Sequence, residues 1–353
     1  MRICYPFCHP KGGGTEWHAL YLAREAVKSG HEVSFIFSED GRMVDAAKKE
    51  GFEYSYISMG SSFDPIRVLR SAFELKKYFI DHRVDLVHAH MLREQSLVIL
   101  AKFLGSKVKL IRTFHRTDQF NWKMKPLMWL YNWQTDCYIA ISNYMLGYLA
   151  QNGIRKNIEL VYNGVTRMKV VQHAPSLGFM GRVVPEKGIY EFVKKNKDLF
   201  GQDQKLLIGG DGEDLPLLQS YVKANHTKGV EILGRVEDQK DFFSKISIFV
   251  LPASHEVLPL VALEAFSSGI PVVAFDLPVL EELIDGNNGI LVKQGDYATL
   301  ASEALRILKS KDLPKYQTAA SHCYEANYTI EQMWKKTEAV YKKYVKTADK
   351  VLR

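Results

Sequence analysis

Short apolar runs alternate with amphipathic stretches of helix length along the whole chain, a rhythm that predicts repeated β-α-β units around parallel sheets. In the first half the runs at residues 2–5, 32–37, 54–57, 86–88, 108–113, 137–141 and 158–161 read as strands. Each is followed by a turn or by a helical stretch. Residues 17–30 illustrate the helices, with Leu20, Ala23 and Val27 at helical spacing and Gly30 as a stop signal. After Asn163-Gly164-Val165 the rhythm breaks, because residues 166–176 are polar, aperiodic and contain Pro175. It restarts with strands at 177–180, 205–208, 230–233, 246–251, 271–275 and 289–292.

The pattern therefore predicts an α/β protein with two doubly wound, Rossmann-like domains, residues 1–166 and 167–330, facing a cleft. In such sheets ligands bind beyond the carboxyl ends of the strands, so a cleft between two of them suits a reaction between two substrates. Residues 331–353 read as a closing helix, with Met333, Trp334, Thr337, Val340, Tyr341 and Tyr344 on one stripe. Ordinary core packing explains that stripe, and packing back on the first domain is open to it.

Composition changes the picture little. A chain of 353 residues with 46% hydrophobic and 25% charged residues has the make-up of a folded globular protein. No apolar run approaches the roughly 20 residues of a membrane span. The opening Met1-Arg-Ile-Cys-Tyr-Pro-Phe-Cys8 is interrupted too soon for a signal peptide. Cys4, Cys8, Cys137 and Cys323 are scattered without zinc-site spacing, so a reducing, cytoplasmic setting is expected.

Charge adds more. Residues 1–166 carry 22 Lys and Arg against 16 Asp and Glu, a net +6, whereas the rest carries 25 against 24, or +1. An excess confined to one half suits an anionic partner such as a membrane surface or a phosphorylated substrate; a plain solubility charge is the other reading. No recognition motif accompanies the basic half, so nucleic acid is not expected as a partner.

The candidate chemistry starts at Pro252-Ala-Ser-His-Glu256-Val-Leu-Pro-Leu-Val-Ala-Leu-Glu264-Ala-Phe-Ser-Ser-Gly269-Ile-Pro271. A strand ends, the chain turns, and a helix opens near Leu260 and Val261. Its N-terminus offers free N–H groups and positive potential to a diphosphate. Glu256 and Glu264 can serve a sugar and a ribose separately, or be two solvated surface acids. The segment, and with it the whole chain, resembles the retaining glycosyltransferases of family 4, which have the two-domain GT-B fold. The resemblance rests on Pro-Ala-Ser near a Glu, followed by Glu-x7-Glu-Ala, Gly and Pro. The chain departs from the pattern at two positions: a single residue separates Ser254 from Glu256, and Val257 stands where Gly is usual.

A second match is Gly181-Arg182-Val-Val-Pro-Glu-Lys187-Gly188. Two cations five apart on a Gly-bounded loop can converge on one pyrophosphate, although alone they would read as surface charges. By resemblance, Arg182 and Lys187 hold the donor diphosphate. Gly210 belongs to a tight Gly209-Gly-Asp-Gly212 turn, and Arg235-Val236 stands where the family contacts the nucleotide base. In the first half, Lys11-Gly-Gly-Gly14-Thr-Glu16 is neither a dinucleotide fingerprint nor a P-loop. In the family such a loop brings backbone N–H groups, here those of Gly13 and Gly14, to the donor phosphate and the acceptor. Thr113-Phe-His115 matches the family's Thr-x-His, which implies His115 close to the donor sugar. Otherwise it is a loop or core histidine.

The resemblance implies transfer of a sugar from a nucleoside-diphosphate donor to a glycan or lipid-linked hydroxyl, with retention, in surface polysaccharide, lipopolysaccharide or lipid-linked glycan synthesis. Glu256, His115, Arg182 and Lys187 would be the catalytic set. No Asp-x-Asp stands where a metal-dependent transferase needs one, so neither a metal nor a resident cofactor is expected. An epimerase of the same fold and a non-catalytic nucleotide-sugar-binding protein are the rival readings. Residues 120–133 interleave Trp122, Trp129, Tyr131 and Trp133 with Lys123 and Lys125. That mixture suits an anionic lipid interface, hence a peripheral protein on the inner membrane face, or a helix packed under the first sheet.

Overall fold

The computed structural model describes residues 1–60, 64–117, 125–168, 170, 174–201 and 203–351, with backbone alone at 125–127 and 346–351. The chain forms two compact units: Met1–Asn163 together with Ile330–Arg353, and Gly164–Thr329.

The first unit holds seven strands: β1 (Arg2–Phe7), β2 (Glu32–Phe37), β3 (Glu53–Tyr56), β4 (Leu86–Ala89), β5 (Lys109–Phe114), β6 (Cys137–Ala140) and β7 (Ile158–Leu160). Between them run α1 (Gly14–Lys28), α2 (Arg42–Lys49), α3 (Pro65–Asp81), α4 (Leu92–Phe103), α5 (Lys125–Gln134) and α6 (Asn143–Gln151). The sheet is parallel, in the order β3-β2-β1-β4-β5-β6-β7. Its central strands are buried along nearly their whole length, which is why they read as unbroken apolar runs. Local signals set the helix starts: Asp64 caps α3 by accepting from Ile66 N at 3.0 Å, ahead of Pro65, and Ser142 caps α6 through Met145 N at 3.1 Å.

The second unit holds β8 (Leu177–Met180), β9 (Leu206–Gly209), β10 (Val230–Gly234), β11 (Ile248–Leu251), β12 (Val272–Phe275) and β13 (Gly289–Val292). Its helices are α7 (Ile189–Lys195), α8 (Leu215–Ala224), α9 (Gln239–Ser244), α10 (Leu260–Ser267), α11 (Tyr297–Leu308) and α12 (Leu313–Asn327). The parallel order is β10-β9-β8-β11-β12-β13. Strand order reverses between β1 and β4 in one sheet and between β8 and β11 in the other, and a doubly wound sheet opens its binding crevice at that reversal.

The last helix, α13 (Ile330–Val351), is part of the first unit. Trp334 Nε1 donates to Ser29 Oγ at 2.7 Å, and the buried Tyr341 hydroxyl meets Tyr5 Oη at 3.1 Å and His88 Nδ1 at 2.6 Å. Residues 120–124 lie outside the described residues. The rest of that aromatic segment divides: Met128 and Tyr131 face the core, whereas Trp129 and Trp133 face solvent.

Candidate functional site

In the second unit the loops leaving β8 and β11 are locked together at the switch point. Gly188 has φ +67°, and a Cβ there would lie 2.1 Å from the Pro252 carbonyl oxygen, so glycine is required for this approach. Ser254 donates to the Glu186 carbonyl twice, from its N–H at 2.9 Å and from Oγ at 3.2 Å. The 3-10 turn Pro185–Lys187 thereby carries Lys187 to Glu256, where Nζ donates to Oε1 at 2.5 Å. Both side chains are largely covered, with Glu256 9% and Lys187 20% exposed. Arg182 is exposed and pairs with Glu186 at 2.6 Å.

Beyond the strand ends lies a cavity of about 430 Å³. Gly181 and Arg182 wall it after β8, Gly210 and Asp211 after β9, and Arg235 and Val236 after β10. Leu260, Val261 and Glu264 of α10 close it, with Gln239 beside them. The first helical bonds of α10 run from Ala262 and Leu263 back to the Pro259 carbonyl, so the N–H groups of Leu260 and Val261 fall outside the helix's own ladder. Gln239 Nε2 donates to Glu264 Oε2 at 3.3 Å. Burial pushes the Glu264 carboxyl up to about 7, against the opposing pull of Gln239. Arg182, Gly210, Arg235, Val236, Leu260, Val261 and Glu264 thus share one cavity. Lys187 and Glu256 form a separate pair in the same unit.

Gly13, Gly14 and His115 belong to the first unit. Gly13 caps α1 and donates its N–H to Glu16 Oε2 at 3.1 Å, while the ladder of α1 begins only with Trp17 N on the Gly13 carbonyl. The N–H of Gly14 lies outside that ladder. Both glycines line a second cavity of about 430 Å³ with Phe7, Lys11, Glu94 and Arg116. His115 follows β5 and turns toward other histidines: its Nε2 is 2.9 Å from His90 Nδ1, and its ring centroid is 4.7 Å from that of His18. Burial and mutual repulsion hold the His90 and His115 rings well below the usual histidine range, and burial takes His18 down to about 3. These rings are neutral at physiological pH.

Residues 12–167 match the family described as Glycosyltransferase Family 4, and residues 174–310 match Glycosyl transferases group 1. The two matches together mark a glycosyltransferase like those of family 4. The transferase is 24% identical to the N-acetyl-alpha-D-glucosaminyl L-malate synthase of Bacillus anthracis over 95% of each chain. It is 25% identical to the O-antigen biosynthesis glycosyltransferase WclY of Escherichia coli, over 81% of this chain and 83% of that protein. Among solved structures, HepE of Anabaena in complex with UDP and glucose superposes with a TM-score of 0.82 at 17% identity, covering 96% of the transferase and 98% of HepE. The fold class is that of GT-B enzymes, and the activity is glycosyl transfer.

Sequence reasoning about the transferase missed Asp211 and Gln239 in the first cavity, and His18 and His90 beside His115. His88-Ala-His90 held a usable signal. Residues two apart along an extended segment share a face, and the His88 and His90 rings lie tilted to each other with centroids 4.3 Å apart.

Proposed function

We propose that this glycosyltransferase moves a sugar from a nucleoside-diphosphate donor to a hydroxyl with retention, using neither a divalent ion nor a resident cofactor. The supporting observation is the cavity in which Arg182, the two free N–H groups of α10 and Glu264 converge. Arg182, Lys187 and those N–H groups stabilise the departing diphosphate, which accepts the proton of the incoming hydroxyl on the same face. Glu264 accepts from the ribose hydroxyls, with Arg235 and Val236 beside the base. Glu256, oriented by Lys187, accepts from the donor sugar, and the first unit contributes His115 to the sugar and Gly13 and Gly14 to the phosphate and acceptor. A relative named for O-antigen biosynthesis points to a surface glycan as the acceptor class.

The test is a screen of nucleotide sugars for saturable binding and slow donor hydrolysis. Arg182→Ala and Glu264→Ala each weaken donor binding by about tenfold or more, the scale of one lost charge-assisted contact. If no nucleotide sugar binds, or both variants match wild type, the donor-site assignment fails. Release of the nucleoside diphosphate separates a transferase from an epimerase, and transfer persists in excess chelator.

Glu264 adds a pH dependence. A carboxyl titrating near 7 is about one-tenth ionised at pH 6 and nine-tenths at pH 8, and the anion is the better acceptor for ribose hydroxyls. Donor affinity therefore rises about tenfold from pH 6 to pH 8, with proton release on binding. Because the folded value lies above the ordinary 4.5, stability of the free protein falls as pH climbs from about 4.5 to about 7. Calorimetry at three pH values checks both, and Glu264→Gln abolishes both.

An anionic membrane surface is the proposed further partner. No helix among the described residues is long and apolar enough to cross a membrane. Ile66, Leu69, Phe73 and Ile80 form an exposed stripe on α3, with Arg67, Arg70, Lys76 and Lys77 beside it. Lys76 Nζ lies 5.8 Å from the Phe73 ring centroid and on the side of Gly105, next to exposed Phe103 and Leu104. Phe103 touches Trp133, which stacks on Trp129 at 6.0 Å, and these two are 63% and 68% exposed. Aromatic and aliphatic groups interleaved with cations fit the headgroup boundary of a bilayer. In flotation with anionic vesicles the protein rises with the lipid and is released by salt, and Trp129→Ser/Trp133→Ser stays below. Binding independent of lipid charge, or unchanged in the double variant, removes the proposal.

A further inference from the structure

A further cavity, of about 470 Å³, opens at the amino-terminal edge of the first sheet, the edge opposite the glycine loop. Its walls are the end of α3 at Phe79 and Ile80, residues 83–85 leading into β4, residues 105–109 leading into β5, and Val345 of α13. Arg83 and Lys107 are exposed in this wall, and neither is paired with a carboxylate among the described residues. Lys76 is also without a carboxylate partner, and its Nζ lies 3.9 Å from where a Cβ on Gly105 would stand. Lys109 shares Asp136 with Lys102, at 2.8 and 2.9 Å. The carboxylate of the wall itself, Asp85, accepts the Arg2 N–H on Oδ2 at 2.8 Å. Lys76, Arg83, Lys102, Lys107 and Lys109 thus stand against Asp85 and Asp136, an excess of three positive charges.

Part of that excess has a structural cause. α3 and α4 both end here, and each C-terminus presents about half a negative charge, which accounts for about one of the three. A surplus of about two remains around a concave wall, where cations raise one another's potential until an anion neutralises them. Ser106 Oγ and the N–H groups of Lys107 and Val108 are likewise without a hydrogen-bond partner among the described residues. The rim, by contrast, is apolar. Ile80, 56% exposed, belongs both to the wall and to the exposed stripe of α3, and the exposed Phe103 and Leu104 directly precede Gly105. Cationic walls beside exposed hydrocarbon fit a ligand with an anionic head and an apolar tail. A phosphate monoester carries about two negative charges at pH 7, which matches the surplus.

We propose that this cavity binds the headgroup of a phosphomonoester lipid, one per chain, with the phosphate on Arg83 and Lys107 and the hydrocarbon beside Ile80. The inference rests on the membrane-surface reading and adds to it the class of lipid. Arg83 and Lys107 line neither the donor cavity nor the glycine-loop cavity.

The test uses vesicles matched in negative surface charge, one set carrying phosphatidic acid and the other phosphatidylglycerol. Wild type binds the phosphatidic acid set about tenfold or more tightly. Arg83→Gln/Lys107→Gln binds both sets alike, with thermal unfolding and donor hydrolysis unchanged. A second arm is calorimetry with dihexanoyl phosphatidic acid below its micelle concentration, against glycerol 3-phosphate and inorganic phosphate. The short-chain lipid saturates one site per chain in wild type and in Trp129→Ser/Trp133→Ser but not in the cavity variant, and the free phosphates bind about tenfold more weakly. Free phosphate as tight as the lipid overturns the lipid assignment. Vesicle binding without headgroup preference, unchanged in the cavity variant, overturns the cavity and leaves the membrane surface standing. Saturable, Arg83- and Lys107-dependent uptake of the short-chain lipid without vesicle binding upholds the cavity and removes the membrane surface.

Discussion

Lys187→Ala is expected to lower kcat/KM for sugar transfer by about two to three orders of magnitude, the range for losing one preorganised charge aimed at a transition state. The variant removes two things at once. On the proposed donor reading the departing diphosphate loses a cation, and Glu256, 9% exposed, loses the Nζ held 2.5 Å away. A carboxylate left in a mostly covered place without its partner also destabilises the fold. The two effects separate in Lys187→Met/Glu256→Gln, which has no stranded charge. That pair recovers the unfolding temperature and remains as slow as the single variant. Recovery of transfer together with stability would mean that neither charge acts on the donor and that the loss in Lys187→Ala came from the stranded carboxylate alone.

Gly210→Ala is the expected largest structural lesion. Gly210 sits at φ +142°, and a Cβ there would fall 1.8 Å from the Gly181 carbonyl oxygen, which is backbone and cannot rotate away. Strain and clash together cost about 3 kcal/mol or more. For a unit of this size the unfolding temperature drops by roughly 6–12 °C. Donor binding is lost as well, because the displaced strand end carries Gly181 and Arg182, one wall of the cavity. Gly286→Ala provides the comparison: φ is +87° with nothing near the new Cβ, so the cost is about 1 kcal/mol. Equal melting shifts in the two variants would show that backbone conformation alone decides and that the close approach is relaxed in solution.

The two sheets were legible in the chain because parallel strands are covered on both faces. Stretches such as the four residues of β11 or of β12 therefore read as unbroken apolar runs. Arg182 and Glu264 were legible through motifs that fix backbone geometry, a glycine turn and a helix start. Contacts between distant segments were not. Lys187 and Glu256 stand 69 residues apart, and nothing in either neighbourhood names the other. Gln239 opens a short helix in the way a capped surface residue would, and its contact with Glu264 exists only once α9 and α10 come together. The segment before Trp133 offered two readings, core and interface, and each describes one side of α5. A linear pattern rich in aromatics on both sides of a helix cannot say which side turns inward.

The return of α13 to the first unit has a consequence for the order in which the protein can be made. The unit that begins with Met1 lacks Trp334 and Tyr341, and so the hydroxyl that satisfies His88, until the whole of Gly164–Thr329 has left the ribosome. The second unit has all its strands in one stretch of chain and can close first. The domain begun first is finished last, and every chain cut short before Tyr341 carries a complete second unit joined to a first sheet whose Tyr5 and His88 have lost the Tyr341 hydroxyl.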